Sequence, residues 1–296
     1  MKQFKEKLAA RVAAVEDILK GYLPEETGHQ KTIFEACNYS LMAGGKRIRP
    51  LLMQLTYEML GGQSKEIEPF MAAMEMIHTS SLVHDDLPCM DNDEYRRGRK
   101  TTWVVYGYDM GVLTGDALMI YAFEVAAKAF ACTAHPERVG RAIGILAQKT
   151  GIYGMIGGQV VDVEMTGSPM TREQLDFVYR LKTGALLEAS MMIGAVLAGA
   201  DEDTIADMEQ IASNIGMAFQ IRDDILDVTS TTEALGKPVL SDEKNNKMTY
   251  VTYEGLEQSA AEVERLSSDA VRRIASYSGE HEMLEALVKM LITREN

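Results

Sequence analysis

The sequence predicts an all-α protein, a single large helical domain over residues 1–296, and three observations carry that expectation. Apolar residues recur at steps of three and four along most of the chain. No convincing run alternates with period two, as a half-buried strand would. The composition is 46% hydrophobic but only 7% aromatic, with 20 methionines and just seven prolines, a mix that favours helix over sheet. A chain of 296 residues can bury a large core.

The elements follow in order. Residues 2–20 place Phe4, Leu8, Val12, Val15 and Leu19 on one helical stripe. Similar periodicity marks 31–43 and 50–60, the second entered through GGKRIRP (44–50), where two glycines allow close backbone approach and Pro50 starts a helix. Another helix is expected over 69–86. Pro88 disfavours helix at Leu87, so the chain turns out there into a segment rich in proline, glycine and charge, 87–103. Helices are then expected over 109–131, 137–156, 172–199, 202–227 and 255–292. Between the last two lies TSTTEALGKPVLSDEKNNKM (229–248), a long polar segment carrying Lys237 and Lys247, which we read as a lid.

The formal net charge of −14 repels phosphate backbones, so no nucleic-acid partner is expected. Yet GGKRIRP and RRGRK (96–100) hold seven of the 30 lysines and arginines, and a basic cluster on an acidic protein suggests a small anionic ligand. Cys37, Cys89 and Cys132 show no CxxC spacing. They fit a reducing, cytoplasmic location and small buried hydrophobic roles. The N-terminus lacks a signal-peptide apolar core. The longest apolar run, 189–200, is too short to cross a bilayer, so no membrane span is expected.

Two aspartate clusters carry the chemistry. In FQIRDDILD (219–227), Asp223 and Asp227 are four apart and lie about 40° apart on one helix face, bordered by Gln220 and Asp224. Acids on an otherwise apolar helix need a cation. In SLVHDDLPCMD (81–91), Asp85 and Asp91 are six apart, opposite each other on an unbroken helix. The turn at Pro88 would carry Asp91 back beside Asp85. Upstream, His78 and Ser81 share the stripe of Asp85. Hard oxygen ligands of this kind suit Mg²⁺, which keeps waters and bridges one or two carboxylates to substrate phosphates. Zn²⁺ is poorly matched, since His and Cys are not spaced as ligands around these acids. Lys46, Arg49, Arg96 and Arg97 supply the complementary cations, Arg offering a rigid fork for phosphate oxygens.

With these residues in place the chain resembles the trans-isoprenyl diphosphate synthases, in particular the short-chain bacterial farnesyl and geranylgeranyl diphosphate synthases. From about residue 30 to the C-terminus it carries, in order, GGKRIRP, HTSSLVHDDLPCMD, RRG, LTGDAL, GGQVVDVE, KTGALLEAS, FQIRDDILD, LGKPVLSD and NNKMTY. The resemblance implies the isoprenoid synthase fold, a helical bundle around a deep central cavity. It implies that Lys46, Arg49, His78 and Arg97 hold isopentenyl diphosphate, while Arg96, Lys182 and Lys237 hold the allylic diphosphate. Asp85 and Asp91 would bind Mg²⁺ from one side and Asp223 from the other, with Asp86 and Asp227 as supporting candidates. Thr183 and Gln220 would turn dipoles to the allylic cation, Gln159 and Asp162 would line the same cavity, and Lys247 would act from the lid.

The resemblance further implies three Mg²⁺ per site, with Mn²⁺ able to substitute, and a homodimer. Ionisation of the allylic C–O bond, attack by the isopentenyl double bond and loss of a proton to the departing diphosphate would follow. No protein nucleophile is required, and water must be excluded. Two departures stand out after RRG, where Lys100 and Trp103 replace the family's usual proline and histidine. Ser80 and Ser81 are both small, and farnesyl-type bacterial enzymes often place an aromatic at the position of Ser80. The product channel is therefore expected to run past Ser80 towards Met76 and Ile77 and to allow a geranylgeranyl product or a mixture with farnesyl, the alternative being a channel blocked by a side chain from another helix. A terpene cyclase and a non-catalytic modulatory subunit are the rival readings. The cyclase is opposed by the second aspartate motif with the isopentenyl cluster, the subunit by both intact aspartate pairs.

Overall fold

The computed structural model describes residues 2–229 and 248–293. It is helical almost throughout, as expected. The chain divides into two compact units: Met1–Gln54 with Gln63–Ile143, and Leu55–Gly62 with Gly144–Asn296. The boundary falls inside two helices, α3 and α7.

The first unit contains α1 (Lys2–Lys20), α2 (Lys31–Leu41), the start of α3 (Ile48–Met59), α4 (Glu68–Asp85), α5 (Thr102–Tyr106), α6 (Tyr108–Ala127) and most of α7 (Pro136–Thr150). Helix α4 is its centre. Phe70, Met71, Ala72, Ala73, Met74, Met76 and Ile77 are all buried, so the helix is enclosed on every side rather than amphipathic. It packs against α6, α1 and α2. Gly115 on α6 makes the closest approach possible, since a Cβ there would lie 2.0 Å from His84 Nε2 on α4.

The second unit holds α8 (Met155–Glu164), α9 (Arg172–Val178), α10 (Ala185–Ala198), α11 (Glu202–Thr229), α12 (Tyr250–Ile274) and α13 (Glu282–Ile292). Helix α10 is buried along nearly its whole length and packs on α11, which also meets α12 and α13. A capping box at Thr171 and Gln174 starts α9, and Gly199 in the left-handed conformation ends α10.

Four departures from the expected elements have local causes. The segment 137–156 breaks into α7 and α8 at the turn between Gly151 and Gly154. Residues Tyr179–Gly184 form one turn of π-helix between α9 and α10. The segment 255–292 is two helices, α12 and α13, and α12 is bent at Gly255 (φ 77°). Residues Tyr95–Arg96 and Arg99–Lys100 pair as a two-residue antiparallel hairpin, too short to register as an alternating pattern. Its turn, Arg97-Gly98, has φ of 53° and 74°, the sign the tight hairpin turn demands.

Two expectations are corrected. Of the cysteines only Cys37 is buried; Cys89 and Cys132 are exposed, because they fall in turns that follow α4 and α6. The length argument against a membrane span also fails. Tyr108–Ala131 and Arg172–Ala198 are both long and apolar enough to cross a bilayer by length and composition. The second window is 72% buried within the protein, as a core helix is.

Candidate functional site

In the first unit the turn expected after α4 is present. Asp91 N–H donates to Asp85 C=O at 2.8 Å and Met90 N–H to Leu87 C=O at 2.9 Å, which folds the backbone of Asp91 back onto that of Asp85. Asp85 is half-buried and Asp91 exposed. Asp86 is 3% exposed, and Arg96 Nε donates to its Oδ1 at 2.6 Å. Burial pushes the Asp86 carboxyl up to about 6, against the pull of Arg96. Trp103 Nε1 and Thr101 Oγ1 both donate to the Asp93 carbonyl, at 2.9 and 2.8 Å, and pin the loop that leads into the hairpin. Trp103 thus has a definite structural task.

The basic residues gather beside this turn. Arg97 Nη1 donates to the Gly44 carbonyl. Lys46 is exposed. Arg49, in the first turn of α3, has its pKa lowered to about 10 by burial, and its buried Nε has no hydrogen-bond partner. A buried guanidinium N–H without an acceptor is what an anionic ligand would satisfy. His78 on α4 is held well below the ordinary histidine range by burial and by Arg49, Arg97, Arg96 and Arg47, and so is neutral at physiological pH.

In the second unit the π-helical turn presents Lys182 and Thr183. Single π turns recur at functional sites. Lys182 Nζ donates to Asp162 Oδ2 on α8 at 2.5 Å, and Thr183 Oγ1 to Gln220 Oε1 on α11 at 3.1 Å. Gln159 lies half-buried on α8, three residues before Asp162. Gly158 permits this packing, since a Cβ there would stand 2.3 Å from the Lys182 backbone nitrogen. Asp223 is half-buried and Asp227 buried.

Asp224 does something the sequence did not reveal. Its Oδ2 accepts from Tyr179 Oη at 2.6 Å and from the Tyr250 backbone N–H at 2.7 Å. One buried carboxylate therefore joins the π turn, α11 and the first turn of α12. No spacing rule links residues 45 positions apart, so only the fold discloses the contact. The expected lid residues Lys237 and Lys247 lie outside the described residues.

Among the described residues no group of three or more His, Cys, Asp or Glu side chains is placed to hold a metal ion. The donor set still fits magnesium, which uses one or two carboxylates and completes its shell with water and phosphate oxygens rather than a protein cage.

An all-α fold with two aspartate-rich helix ends and an arginine whose buried Nε lacks an acceptor suits a protein that handles anionic ligands. The Polyprenyl synthetase family model matches residues 30–290, and the chain belongs to that family. A geranylgeranyl diphosphate synthase of Cyanophora paradoxa is 42% identical over 290 residues, covering 98% of this chain and 96% of the relative. Among solved structures, an FPP/GFPP synthase from Zymomonas mobilis superposes with a TM-score of 0.86 at 28% identity, over 98% of this chain and 99% of that one. A geranyltransferase from Helicobacter pylori, solved with magnesium and isoprenyl diphosphate, gives a TM-score of 0.82 at 31% identity, over 97% and 95%.

Proposed function

We propose that the protein is a short-chain prenyl diphosphate synthase that joins isopentenyl diphosphate head-to-tail to an allylic diphosphate. It is a prenyltransferase of the polyprenyl synthetase family. The observation that carries the reading is the 42% identity to a geranylgeranyl diphosphate synthase over 98% of the chain. The cyclase and modulatory-subunit alternatives gain no support from it.

In this reading Lys46, Arg49, His78 and Arg97 hold isopentenyl diphosphate. Neutral His78 contributes a hydrogen bond rather than charge, and Arg49 Nε finds its acceptor. Arg96 and Lys182 hold the allylic diphosphate, and Lys237 joins them. Thr183 and Gln220, already hydrogen-bonded to each other, turn their oxygens to the developing cation. Asp85, Asp91 and Asp223 would hold magnesium, with Asp86 and Asp227 as supporting candidates; the ion would supply the charge that makes diphosphate a good leaving group. The magnesium and isoprenyl diphosphate of the Helicobacter pylori structure support the choice of metal and substrate class. The three free cysteines fit a reducing compartment.

For product length, Ser80, Met76 and Ile77 are fully buried on α4, with the Ser80 hydroxyl turned back to the Ile77 carbonyl at 2.8 Å. The small side chain at 80 favours a C20 product. Purified enzyme given magnesium, isopentenyl diphosphate and dimethylallyl, geranyl or farnesyl diphosphate should yield geranylgeranyl diphosphate by chromatography, and Ser80→Phe should shift the product to C15. Clean arrest at C15 in the wild type with every primer rules out the extended channel. Turnover of an allylic diphosphate without isopentenyl diphosphate rules out the synthase.

A further inference from the structure

We infer that Arg47 is the positioning residue of the isopentenyl diphosphate loop, and that its buried pair with Glu75 fixes where Lys46 and Arg49 stand. The inference rests on the function proposed above. Arg47 is the second residue of KRIR (46–49), and its sequence context does not separate it from the cations on either side of it. The structure does. Its side chain is fully buried, whereas Lys46 beside it is exposed. Arg47 Nη1 donates to Glu75 Oε1 at 2.8 Å and Nη2 to the Leu41 carbonyl at 2.9 Å, with Glu16 Oε1 at 3.5 Å from Nη2. Both Nη atoms are committed to protein acceptors and the side chain is closed off from solvent, so its fork is not available to a diphosphate.

The backbone shows the same thing from another side. Gly44, Gly45 and Arg47 have φ of 84°, 133° and 49°, three left-handed residues among four. Glycine adopts that conformation readily, but an arginine does so only where its surroundings hold it there. Here the restraint is the forked guanidinium reaching between the end of α2 and α4. Glu75 lies three residues before His78, on neighbouring positions of one helix face. The pair therefore ties the loop carrying Lys46, and the helix start carrying Arg49, to the part of α4 that carries His78. A buried ion pair adds little stability over a well-packed apolar pair, but it adds direction.

That contrast makes the test. Initial rates would be measured against isopentenyl and dimethylallyl diphosphate separately for wild type, Arg47→Lys, Glu75→Gln and the double variant Arg47→Met/Glu75→Leu, alongside thermal unfolding of each. Each single variant should raise KM for isopentenyl diphosphate about ten-fold, with the allylic KM unchanged, because the loop shifts while the allylic residues do not. The double variant should recover the melting temperature and keep the raised isopentenyl KM. Recovery of KM together with melting temperature, or a fall in kcat with both KM values unchanged, overturns the inference and leaves a purely structural pair. A stable wild type that condenses nothing refutes the proposed function and the inference with it.

Discussion

His78 illustrates how a single side chain records its surroundings. Half-buried beside arginines, with burial and their charge holding its pKa down, it stays neutral in the folded protein, whereas the unfolded chain protonates it near pH 6.5. Its native pKa is depressed, so below that pH the unfolded state binds the extra proton and stability falls, by up to about 1.4 kcal/mol per pH unit. Asp86 runs the other way: its carboxyl, at about 6, gains a proton in the folded state as pH falls through that value. Urea denaturation between pH 7 and 5 should therefore show wild type losing more stability than His78→Gln. Equal losses in the two proteins would place the neutral histidine elsewhere. Tyr179 gives a second residue-scale expectation. Tyr179→Phe deletes the hydroxyl that donates to Asp224 and should cost about 1 kcal/mol in urea denaturation, with the allylic KM raised and the isopentenyl KM unchanged.

Among the elements, the π turn at Tyr179–Gly184 depends on its neighbour. Gly158 of α8 stands where any Cβ would strike the Lys182 backbone, which has no room to yield without moving the turn. Gly158→Ala should destabilise the protein by about 1–3 kcal/mol in thermal or urea melts and lower kcat more than a surface Gly→Ala control such as Gly140→Ala, beside which nothing lies within 4 Å. The elements also mark the limit of what the sequence discloses. Helices α1, α4 and α11 were readable because apolar residues recur on each at helical steps. The π turn was not, because YRLKTG has the same periodicity as the α-helices it joins. The hairpin escaped for a different reason, since two residues per strand are too few to alternate. Likewise, the turn at Pro88 was legible because proline acts on its immediate neighbours, whereas Asp224 and Arg47 take their roles from partners 26 to 45 and 28 residues away.

At the scale of the whole molecule, apolar residues left at the surface suggest a partner. Leu113 and Ile120 are 53% and 72% exposed, seven residues apart on one face of α6, and Phe130 just beyond is 48% exposed. We propose that this face serves a homodimer, as the family resemblance implies. Ile120→Glu should then shift the species seen by light scattering from dimer to monomer. A wild-type protein already monomeric at micromolar concentration would reject the proposal. The composition pointed to the helical class, and the ordered motifs to the family. Which apolar helices face a partner was not legible, since core and interface helices share one composition.

The contacts of Arg96 with Asp86 and of Lys182 with Asp162 have a further consequence. In the function proposed above, these are two of the cations assigned to the allylic diphosphate, and each already holds a carboxylate. On that assignment, ligand binding would be an exchange of counter-ions rather than the filling of bare positive charge. Each incoming phosphate oxygen would displace an acid, and the displaced acid would have to find a cation of its own or repel the newcomer. Such an exchange would favour the magnesium complex of diphosphate over free diphosphate, because the metal would compensate the displaced acids. It also blunts the response to ionic strength, because charge is redistributed inside the protein instead of being drawn from the salt around it.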